Sequence, residues 1–598
     1  MENSSSQDAT GSKQLTKNLR IISKIILVNL RDDPLYFALQ AARRVDSKFL
    51  SRAAFLATRY VPNRTPTIKA FFLLLSGNSE RLSKHLLAVD LSKTSDNTLA
   101  RLSDMAIAVQ DSESAKQLLE NADLSTAALA RSKARHAWYL GEMQQAIDIL
   151  TNVVKPTSKQ LRHYKSELEV FRGSLPTVDA GSSLGDYTAQ RNTALHFLTN
   201  SLPHTGSGYA QRSHSIMMAL QSTGWFVEVM TRAGYPLTVG NLRAKSVDVV
   251  DGIKYSRIIP NKYRSDMKSK IQQQADALAR KVVALRPEVL HTTTDFSNAL
   301  AVMSVAKAYG IPWVYEVRGQ LADTWASSRP ESAKASERYR LFKEREAFVA
   351  SQADLVITLG NAMKEELVRQ GVNPDKIQLS PNAVGGEYLD VPLDRRTAQE
   401  SLGLDPTLQY VGTVSSLVAY EGLDLLVRAI AELAPTNPRL RLLIVGSGVE
   451  ANNLEELSQR LGIGDRCIFP GRVPREQAHT YHCALSVFVV PRRDLTVTQA
   501  VTPLKPVEAL ACEVPVVAAD LPALRELIED GITGLLVPAE HVEQLANSIQ
   551  TLLDDPSKSA SMGAIGRQKV LAERTWEANA KKLSTAYKNV VDNTALNG

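Results

Sequence analysis

Two long stretches of the chain alternate short apolar runs with amphipathic helical segments, and this alternation restricts the fold more than any other feature. In the first stretch it predicts strands at 194–198, 226–231, 289–292, 313–317 and 355–359. In the second it predicts strands at 408–412, 440–445, 485–490, 514–518 and 534–537. Apolar strands separated by helices are typical of parallel sheets. We therefore expect two Rossmann-like domains with a cleft between the carboxyl ends of their strands.

The residues from 35 to 172 lack this alternation and predict a purely helical region. Residues 109–119 align with residues 140–150 at an offset of 31 positions, which places Ala115 over Ala146. The period is close to the ~34 residues of tetratricopeptide-type helical hairpins. Such a region would be a docking or self-association surface, or a helical extension without a specific partner. Residues 173–189 are polar and predict a linker.

The first 34 residues predict a basic amphipathic helix that ends before Pro34. Apolar residues recur every three or four positions on one face, at Leu15, Leu19, Ile22, Ile26 and Leu30. Residues 1–70 hold twelve Lys or Arg against five Asp or Glu, which accounts for the whole net charge of +7. This helix would either lie on an anionic membrane surface or pack its apolar face on the following helices.

Composition narrows the class of protein. A chain of 598 residues with 44% hydrophobic and 22% charged residues is expected to form several globular domains. Its three cysteines, Cys467, Cys483 and Cys512, lack a paired metal-ligand spacing, so we expect them to be packing residues in a reducing compartment. Because no apolar run reaches the ~20 residues of a membrane span and no signal-peptide layout is present, we expect a cytoplasmic protein. The residues beyond position 70 have no net charge, so we expect no nucleic-acid partner.

A turn of small residues, Gly206, Ser207 and Gly208, joins the first predicted strand to a helix. Glycines let a ligand approach the backbone, and the free N–H groups of a helix start attract anions. The turn is therefore a candidate phosphate site. The alternative is a tight bend without a ligand.

A second group of candidates surrounds the end of the predicted strand 485–490. Arg492, Arg493 and Lys505 would supply positive charge to a diphosphate leaving group. Glu508, on the helix that follows, would accept hydrogen bonds from ribose hydroxyls. Ordinary surface salt bridges would explain any one of these charges alone.

His291 ends a predicted strand and is a candidate for orienting an acceptor hydroxyl at the cleft mouth. A lone histidine is also a common structural residue. Trp313 and Tyr315 alternate as strand residues do, so we expect both in the core.

Several stretches together resemble the retaining family 4 glycosyltransferases, which have the GT-B fold. The most specific is VTPLKPVEALACEVPVVAADLPALRELIEDGITGLLV at 501–537, which is similar to the nucleotide-sugar signature of the family. Further pieces in the family's order are SLPHTGSGYAQR, IPWVYEVRG, ADLVITLGNAMKEELVRQGV, LSPNAV, YVGTVSSLVAYEGLDLLVRAI and LLIVGSG. VTPLKP and YEGLD are similar to transferases of polysaccharide or exopolysaccharide assembly. The resemblance covers about residues 190–585.

The resemblance implies an α/β protein of GT-B architecture, with two facing Rossmann-like domains after an all-α, tetratricopeptide-like N-terminal region. Residues 190–390 would form the acceptor domain and 391–575 the donor domain. Residues 576–598 would provide a helix that returns to the acceptor domain, and a tail. The implied reaction is a hexosyl transfer from a nucleotide diphosphate sugar to a glycan, lipid-linked or small polar acceptor. No metal and no further cofactor are implied.

Residue roles carry over from the matching motifs. Glu508 matches the second glutamate of the family's E-x7-E motif, which holds the donor ribose. The resemblance places the donor sugar, phosphates and base on the remaining matched positions, which are Gly206, Gly208, Gly412, Gly471, Arg472, Val473, Thr502, Pro503, Leu504 and Lys505. In this family the acceptor oxygen attacks the face from which the diphosphate departs, so no protein nucleophile is required.

Three departures from the family pattern change the expected catalytic groups. Ala500 stands at the first glutamate of E-x7-E, which leaves Gln499, Thr502 or backbone to hold the sugar hydroxyls. Thr413 and Glu421 stand where the family has the Arg and Lys of its diphosphate loop.

We therefore expect Arg492 and Lys505 to supply the missing positive charge. Arg318 stands where the family usually has a histidine near the acceptor, and we expect it, with His291, to act on the acceptor side.

Two other functions compete with the transferase. A non-catalytic nucleotide-sugar-binding protein would use the helical region to recruit partners and would transfer from no donor. An isomerase or epimerase of GT-B fold would change the sugar nucleotide without an acceptor. Within the transferases, a small polar acceptor such as an inositol phosphate competes with a lipid-linked glycan.

Overall fold

The computed structural model describes residues 14–24, 26–27, 48–58, 60–62, 65–120, 126–181 and 187–597. The predicted helix end at Pro34 and residues 182–186 of the predicted linker lie outside the described residues.

The first α/β block forms an eight-stranded sheet in the order β3-β4-β2-β1-β5-β6-β7-β8. Its strands are β1 Gln190–Leu198, β2 Phe226–Thr231, β3 Val247–Val250, β4 Ile253–Arg257, β5 Pro287–Thr293, β6 Trp313–Val317, β7 Leu355–Thr358 and β8 Ile377–Leu379. The strand β3 runs antiparallel to β4, and the other pairs are parallel. We call this block the N-lobe.

The second block forms a six-stranded sheet in the order β11-β10-β9-β12-β13-β14, with every pair parallel. Its strands are β9 Gln409–Val414, β10 Leu440–Val445, β11 Cys467–Gly471, β12 Val487–Val490, β13 Val516–Ala519 and β14 Gly534–Val537. We call this block the C-lobe. In both lobes helices cover the sheet, which is why most strand residues are buried on both faces.

Between residue 48 and the N-lobe, the described residues form the helices α1 Lys48–Ala57, α2 Pro66–Leu75, α3 Ser79–Leu87, α4 Asp96–Ala108, α5 Ser112–Glu120, α6 Ala127–Leu140, α7 Met143–Thr151 and α8 Lys159–Phe171. The N-lobe helices are α9 Gly208–Gln221, α10 Met267–Leu285, α11 Phe296–Tyr309, α12 Leu321–Ala326, α13 Glu337–Gln352 and α14 Asn361–Arg369. The remaining helices are α15 Arg395–Ser401, α16 Leu423–Leu433, α17 Ala451–Arg460, α18 Arg475–Cys483, α19 Thr496–Ala500, α20 Lys505–Ala511, α21 Pro522–Arg525, α22 Val542–Asp554, α23 Pro556–Glu573 and α24 Trp576–Asn597.

All ten strands predicted from apolar runs are present, most with ends shifted by no more than two residues, and β1 begins four residues earlier than predicted. The strands β3, β4, β8 and β11 were not predicted. They are short, and β3 is only partly buried, so they lack a continuous apolar run. The strand β11, CIFPG, also ends in Pro and Gly, two residues that normally argue against a strand.

The 31-residue offset corresponds to a repeated helix pair. The helices α5 and α7 each have nine residues and begin 31 positions apart, and Ala115 and Ala146 are both fully buried at matching places. The helical region is fastened to the N-lobe at α13. There the Glu337 carboxylate accepts hydrogen bonds from the backbone N–H of Gln144 and from the Arg172 side chain, each at 2.7 Å. The helical region is therefore packed onto the N-lobe.

Residues 14–24 are helical and pack on the N-lobe. Asn18 donates to the carbonyl oxygens of Leu242 at 3.0 Å and Ala244 at 2.8 Å, and Ile21 is buried beside them. Among the described helices, none combines the length and the apolar character needed to cross a bilayer.

The last helix, α24, crosses back from the C-lobe and packs on α9 and β5 of the N-lobe. Tyr587 is fully buried there, with its ring edge-on to Trp225 at 5.0 Å and its hydroxyl hydrogen-bonded to His291. Trp225 in turn donates to the Ser584 hydroxyl at 3.0 Å. The two lobes are thus joined by a packed helix as well as by the chain connection between them.

We predict that Tyr587→Ala destabilises the docking of α24 by about 3–5 kcal/mol, because it leaves a large cavity. Amide hydrogen exchange in α24 should accelerate accordingly. Tyr587→Phe should cost about 1–3 kcal/mol, since it keeps the ring but removes a hydrogen-bond partner from a buried histidine. The exposed neighbour Lys588 provides the control, and Lys588→Ala should leave exchange unchanged. Equal protection in all three variants would contradict this packing.

Candidate functional site

The lobes face each other through the loops that follow the carboxyl ends of their strands. Across this junction Arg475 donates to the side chain of Gln211, and Asn382 donates to the carbonyl oxygen of Thr502 at 2.9 Å. The carboxylate of Glu526 accepts the first two backbone N–H groups of α14, each at 2.8 Å. A ligand held between these loops would contact both lobes.

The small-residue turn after β1 leads directly into α9. Ser207 is the N-cap and accepts the Ala210 N–H at 3.4 Å. A Cβ atom added to Gly208 would meet no atom within 4 Å, so the backbone here is open to a ligand. A Cβ added to Gly206 would lie 3.2 Å from Nη2 of Arg472 in the C-lobe. The start of α9 therefore faces a guanidinium across the junction.

Arg472 follows β11 and is exposed. Within the part of the chain that the structure describes, no carboxylate forms an ion pair with it. Gly471 before it has a φ of +79°, which turns the chain out of the strand, and Val473 after it packs on the C-lobe core. The loop thus anchors on both sides of Arg472 and leaves its charge available to an anion.

Lys505 and Glu508 lie one turn apart on α20 and form an ion pair, with Nζ 2.7 Å from Oε2. The Lys505 side chain is 36% exposed and that of Glu508 is 14% exposed. Behind them His482 is fully buried 4.0 Å from the Glu508 carboxylate, and burial lowers the pKa of this histidine to about 4. His482 is therefore neutral, and Lys505 carries the charge that balances Glu508.

The segment from Thr502 to Leu504 lies against the N-lobe. Leu504 packs on the hydrophobic cluster formed by α9, α24 and the N-lobe sheet, and Pro503 is half-buried. Among the described residues, nothing hydrogen-bonds the buried hydroxyl of Thr502. A buried hydroxyl without a partner beside a cleft is suited to a ligand hydroxyl.

Arg492 does not present a free charge. Its guanidinium makes a bidentate pair with Glu421, at 3.0 and 2.7 Å, and donates to the Val501 carbonyl at 2.8 Å. We expected Arg492 to replace the positive charge of the family's diphosphate loop. The carboxylate of Glu421 neutralises Arg492 instead. What Arg492 does in this arrangement is hold the segment that begins at Val501.

Arg318 is buried and points into the N-lobe. It donates to Glu316 at 2.5 Å, to the Tyr209 carbonyl at 2.9 Å and to the Ser213 hydroxyl at 2.7 Å. These bonds fasten the end of β6 to the first turns of α9. We expected Arg318 to act on the acceptor. In this structure its guanidinium positions α9 relative to β6 instead.

Arg212 was not singled out in the sequence, yet it is central to this network. It donates to Glu316 at 2.9 Å, to the Ser380 carbonyl at 2.6 Å and to the Pro381 carbonyl at 2.9 Å. Burial alone would raise the pKa of Glu316, but Arg318 and Arg212 hold it well below the usual value. Two guanidinium groups against one carboxylate leave an excess positive charge under the Gly206–Gly208 turn. Arg212 is the last residue of the stretch SLPHTGSGYAQR, so the resemblance of this stretch to the family could have identified it.

His291 does not face the cleft mouth. It is 1% exposed, stacks on His196 at 4.4 Å and bonds to the hydroxyl of Tyr587 in α24. Burial lowers its pKa, so it is neutral and structural, and the expectation of an acceptor contact does not fit this position.

Gly412 likewise lies inside β9 instead of in a loop. A Cβ added there would lie 1.8 Å from the Leu443 carbonyl oxygen, so close packing of β9 on β10 explains this glycine. Gly206, Gly208, Arg472, Thr502, Lys505 and Glu508 remain as the group that borders the junction.

We predict that the buried Glu421–Arg492 pair is a structural unit. Glu421→Ala should destabilise the C-lobe by about 3–5 kcal/mol, because it leaves a buried guanidinium uncompensated. The double variant Glu421→Leu with Arg492→Met should cost less than the sum of its two single variants, Glu421→Leu and Arg492→Met, which with the unaltered chain complete the cycle. Thermal unfolding of all four proteins measures the coupling.

The neighbouring pair Arg493–Asp424 serves as control. Its side chains are each 33% exposed, so Arg493→Ala should cost no more than about 1 kcal/mol. Additive losses at Glu421 and Arg492 would contradict a buried pair.

Comparisons with known proteins agree with this geometry. Residues 207–383 match the family model described as Glycosyl transferase 4-like domain, and residues 394–569 match that of Glycosyl transferases group 1. The chain is 27% identical over 428 residues to the D-inositol 3-phosphate glycosyltransferase of Kribbella flavida, covering 67% of this chain and 96% of that protein. It is 32% identical over 216 residues to the GDP-mannose-dependent alpha-(1-6)-phosphatidylinositol monomannoside mannosyltransferase of Mycolicibacterium smegmatis, covering 36% of this chain and 53% of that protein.

Solved structures share the two-lobe fold. Sucrose-phosphate synthase from Thermosynechococcus elongatus superposes with a TM-score of 0.56 at 24% identity, covering 67% of this chain and 99% of that one. HepE of Anabaena in complex with UDP superposes with a TM-score of 0.53 at 17% identity, covering 66% of this chain and all of that one. The two adjoining family matches lie one in the N-lobe and one in the C-lobe. The chain is therefore a glycosyltransferase and belongs to family 4, with the GT-B fold.

Proposed function

We propose that this enzyme is a retaining glycosyltransferase that moves a hexosyl group from a nucleotide diphosphate sugar to a glycan, lipid-linked or small polar acceptor in polysaccharide or glycoconjugate biosynthesis. One observation carries the proposal. The open start of α9 faces Arg472 across the junction between the lobes. The Lys505–Glu508 pair lies on the helix that begins three residues after Thr502, whose carbonyl oxygen accepts a hydrogen bond from Asn382 of the N-lobe. An anion and a ribose diol are the groups that such a set recognises.

The diphosphate would lie between the first turn of α9 and Arg472. The N–H groups after Gly206 carry the positive end of the helix dipole, and Arg472 adds a full charge from the opposite lobe. Lys505 would turn from Glu508 toward the phosphates, while the Glu508 carboxylate accepts the ribose hydroxyls. The Thr502 hydroxyl would bond to the transferred sugar, in place of the glutamate absent at Ala500.

In the proposed reaction, an acceptor hydroxyl oxygen forms a bond to the anomeric carbon as the bond from that carbon to the β-phosphate oxygen breaks. The acceptor proton passes to the departing phosphate oxygen, so the products are the glycoside and the nucleoside diphosphate. Stabilising the charge that develops on the leaving diphosphate is the contribution of Arg472, Lys505 and α9. No step requires a metal ion or a further cofactor.

Relatives support a nucleotide-sugar donor without choosing its base. HepE of Anabaena is solved with UDP-glucose, and the Mycolicibacterium smegmatis relative is named as GDP-mannose-dependent. The Kribbella flavida relative is named for D-inositol 3-phosphate. That name makes a small phosphorylated acceptor the second candidate, alongside the lipid-linked glycan.

We predict that Arg472→Ala weakens donor binding by about 10- to 100-fold without changing stability, because a charge-assisted hydrogen bond is worth about 1.5–3 kcal/mol and the side chain is exposed. Lys505→Ala and Glu508→Gln should have comparable effects. A thermal-shift screen with UDP-, GDP- and ADP-sugars identifies the donor, since a bound ligand raises the melting temperature. Affinities of the variants are then measured with that donor.

Arg396 offers the matched control, because it is an exposed helical arginine paired with Glu400. Arg396→Ala should bind donor as the unaltered protein does. Normal donor affinity in Arg472→Ala and Lys505→Ala together would reject the assignment.

We also propose that the enzyme works at the cytoplasmic face of an anionic membrane, with the N-terminal helix in contact with lipid. One side of residues 14–24 is packed on the N-lobe through Asn18 and Ile21. The opposite side leaves Leu19 47% exposed, beside the exposed Arg20 and Lys24. Exposed apolar residues among cations are the composition that binds anionic lipid surfaces.

We predict that the full chain sediments with vesicles that contain anionic phospholipid, and less so as salt is raised, because part of the attraction is electrostatic. Leu19→Asp combined with Leu27→Asp should abolish sedimentation, since Leu27 is 54% exposed on the same segment. Leu56→Asp is the control, because Leu56 is equally exposed in the helical region. Sedimentation that is unchanged in the double variant would contradict the membrane proposal.

A further inference from the structure

Three potential metal ligands meet in the C-lobe, behind the donor site. His479 and Cys483 lie one turn apart on α18, and Cys512 directly follows α20. Their ligand atoms all lie within 4.8 Å of one another. The Cys483 sulfur is 3.7 Å from Nε2 of His479. All three residues are buried, at 6%, 3% and 5% exposure.

This geometry is close to that of a tetrahedral zinc centre. Zinc binds thiolate sulfur at ~2.3 Å and imidazole nitrogen at ~2.0–2.1 Å, so ligand atoms around it lie roughly 3.6–3.8 Å apart. The separations among the ligand atoms of His479, Cys483 and Cys512 need to change by no more than about 1.2 Å to reach those values. Two sulfurs with one imidazole are also the donor set that selects a soft or borderline ion over magnesium or calcium.

We propose that His479, Cys483 and Cys512 bind a structural zinc ion that ties α18 to α20. The fourth coordination position is left to water. The ring of Tyr388 packs edge-on against His479 at 5.0 Å and fixes the imidazole.

The proposed zinc ion would lie between two helices that adjoin the proposed donor-binding residues. The helix α20 carries Lys505 and Glu508, and α18 begins three residues after Arg472. An ion that joins these two helices would hold the ribose carboxylate and the phosphate-binding arginine at a set separation. Zinc binding itself does not depend on the proposed function, whereas this consequence rests on it.

The test uses the full chain, purified with chelator under reducing conditions and then dialysed against zinc. We expect about one zinc per chain by metal analysis, and a rise in melting temperature on loading, because binding to the folded state alone stabilises it. Cobalt added in place of zinc should give the visible absorption bands of a tetrahedral thiolate site. These readouts require no donor or acceptor, so they are independent of the transferase proposal.

Cys483→Ser and Cys512→Ser should each lose the bound zinc and the cobalt bands. Cys467→Ser is the matched control, because Cys467 lies in β11 outside the cluster and should leave both unchanged. If a cysteine variant fails to fold, the cobalt spectrum of the unaltered chain still decides the question. Absence of bound metal and of cobalt bands in that chain would overturn the proposal. So would a disulfide between Cys483 and Cys512 in the protein purified without reductant, combined with no metal uptake after reduction.

Discussion

The buried guanidinium of Arg212 lies where four parts of the molecule meet. It extends from α9, pairs with Glu316 on β6 and donates to the carbonyl oxygens of Ser380 and Pro381, where the chain leaves the N-lobe. It also lies 5.4 Å from the ring of Trp576, which begins the returning helix α24. Because α9 starts at the open glycine turn, these bonds set where the helix dipole points. The placement of the Gly206–Gly208 turn relative to the C-lobe therefore depends on Arg212.

Much of this fold follows from local sequence pattern. Buried parallel strands need continuous apolar residues, which is why runs such as LRLLIV in β10 could be placed from the sequence alone. The strand β11 could not, because its CIFPG sequence is held by pairing with β10 and not by its own pattern. The site divides in the same way. The Gly206–Gly208 turn and Glu508 belong to local motifs, whereas the partners of Arg492 and Arg318 come from distant segments.

The pairing of Arg492 with Glu421 shows what a departure from the family pattern means here. An acidic residue stands where a diphosphate-binding lysine is usual, and a nearby arginine neutralises it within hydrogen-bonding distance. The exchange keeps the loop charge-balanced. Arg472 is then a cation at the junction with which, among the described residues, no carboxylate forms an ion pair. His291 illustrates the converse error, because a strand position that looked like a cleft edge is covered by the returning helix. Tertiary packing over 296 residues of sequence separation cannot be inferred from periodicity.

The central claim is that the nucleotide diphosphate binds between the glycine turn of the N-lobe and the loops of the C-lobe. Hydrogen–deuterium exchange with and without the bound nucleoside diphosphate tests this most directly. We expect the nucleoside diphosphate to slow amide exchange in three segments at once, at 206–211, 471–475 and 502–508. Protection confined to a single lobe, or to the cavity between α3 and α16 that Asn78 and Arg428 line, would contradict it.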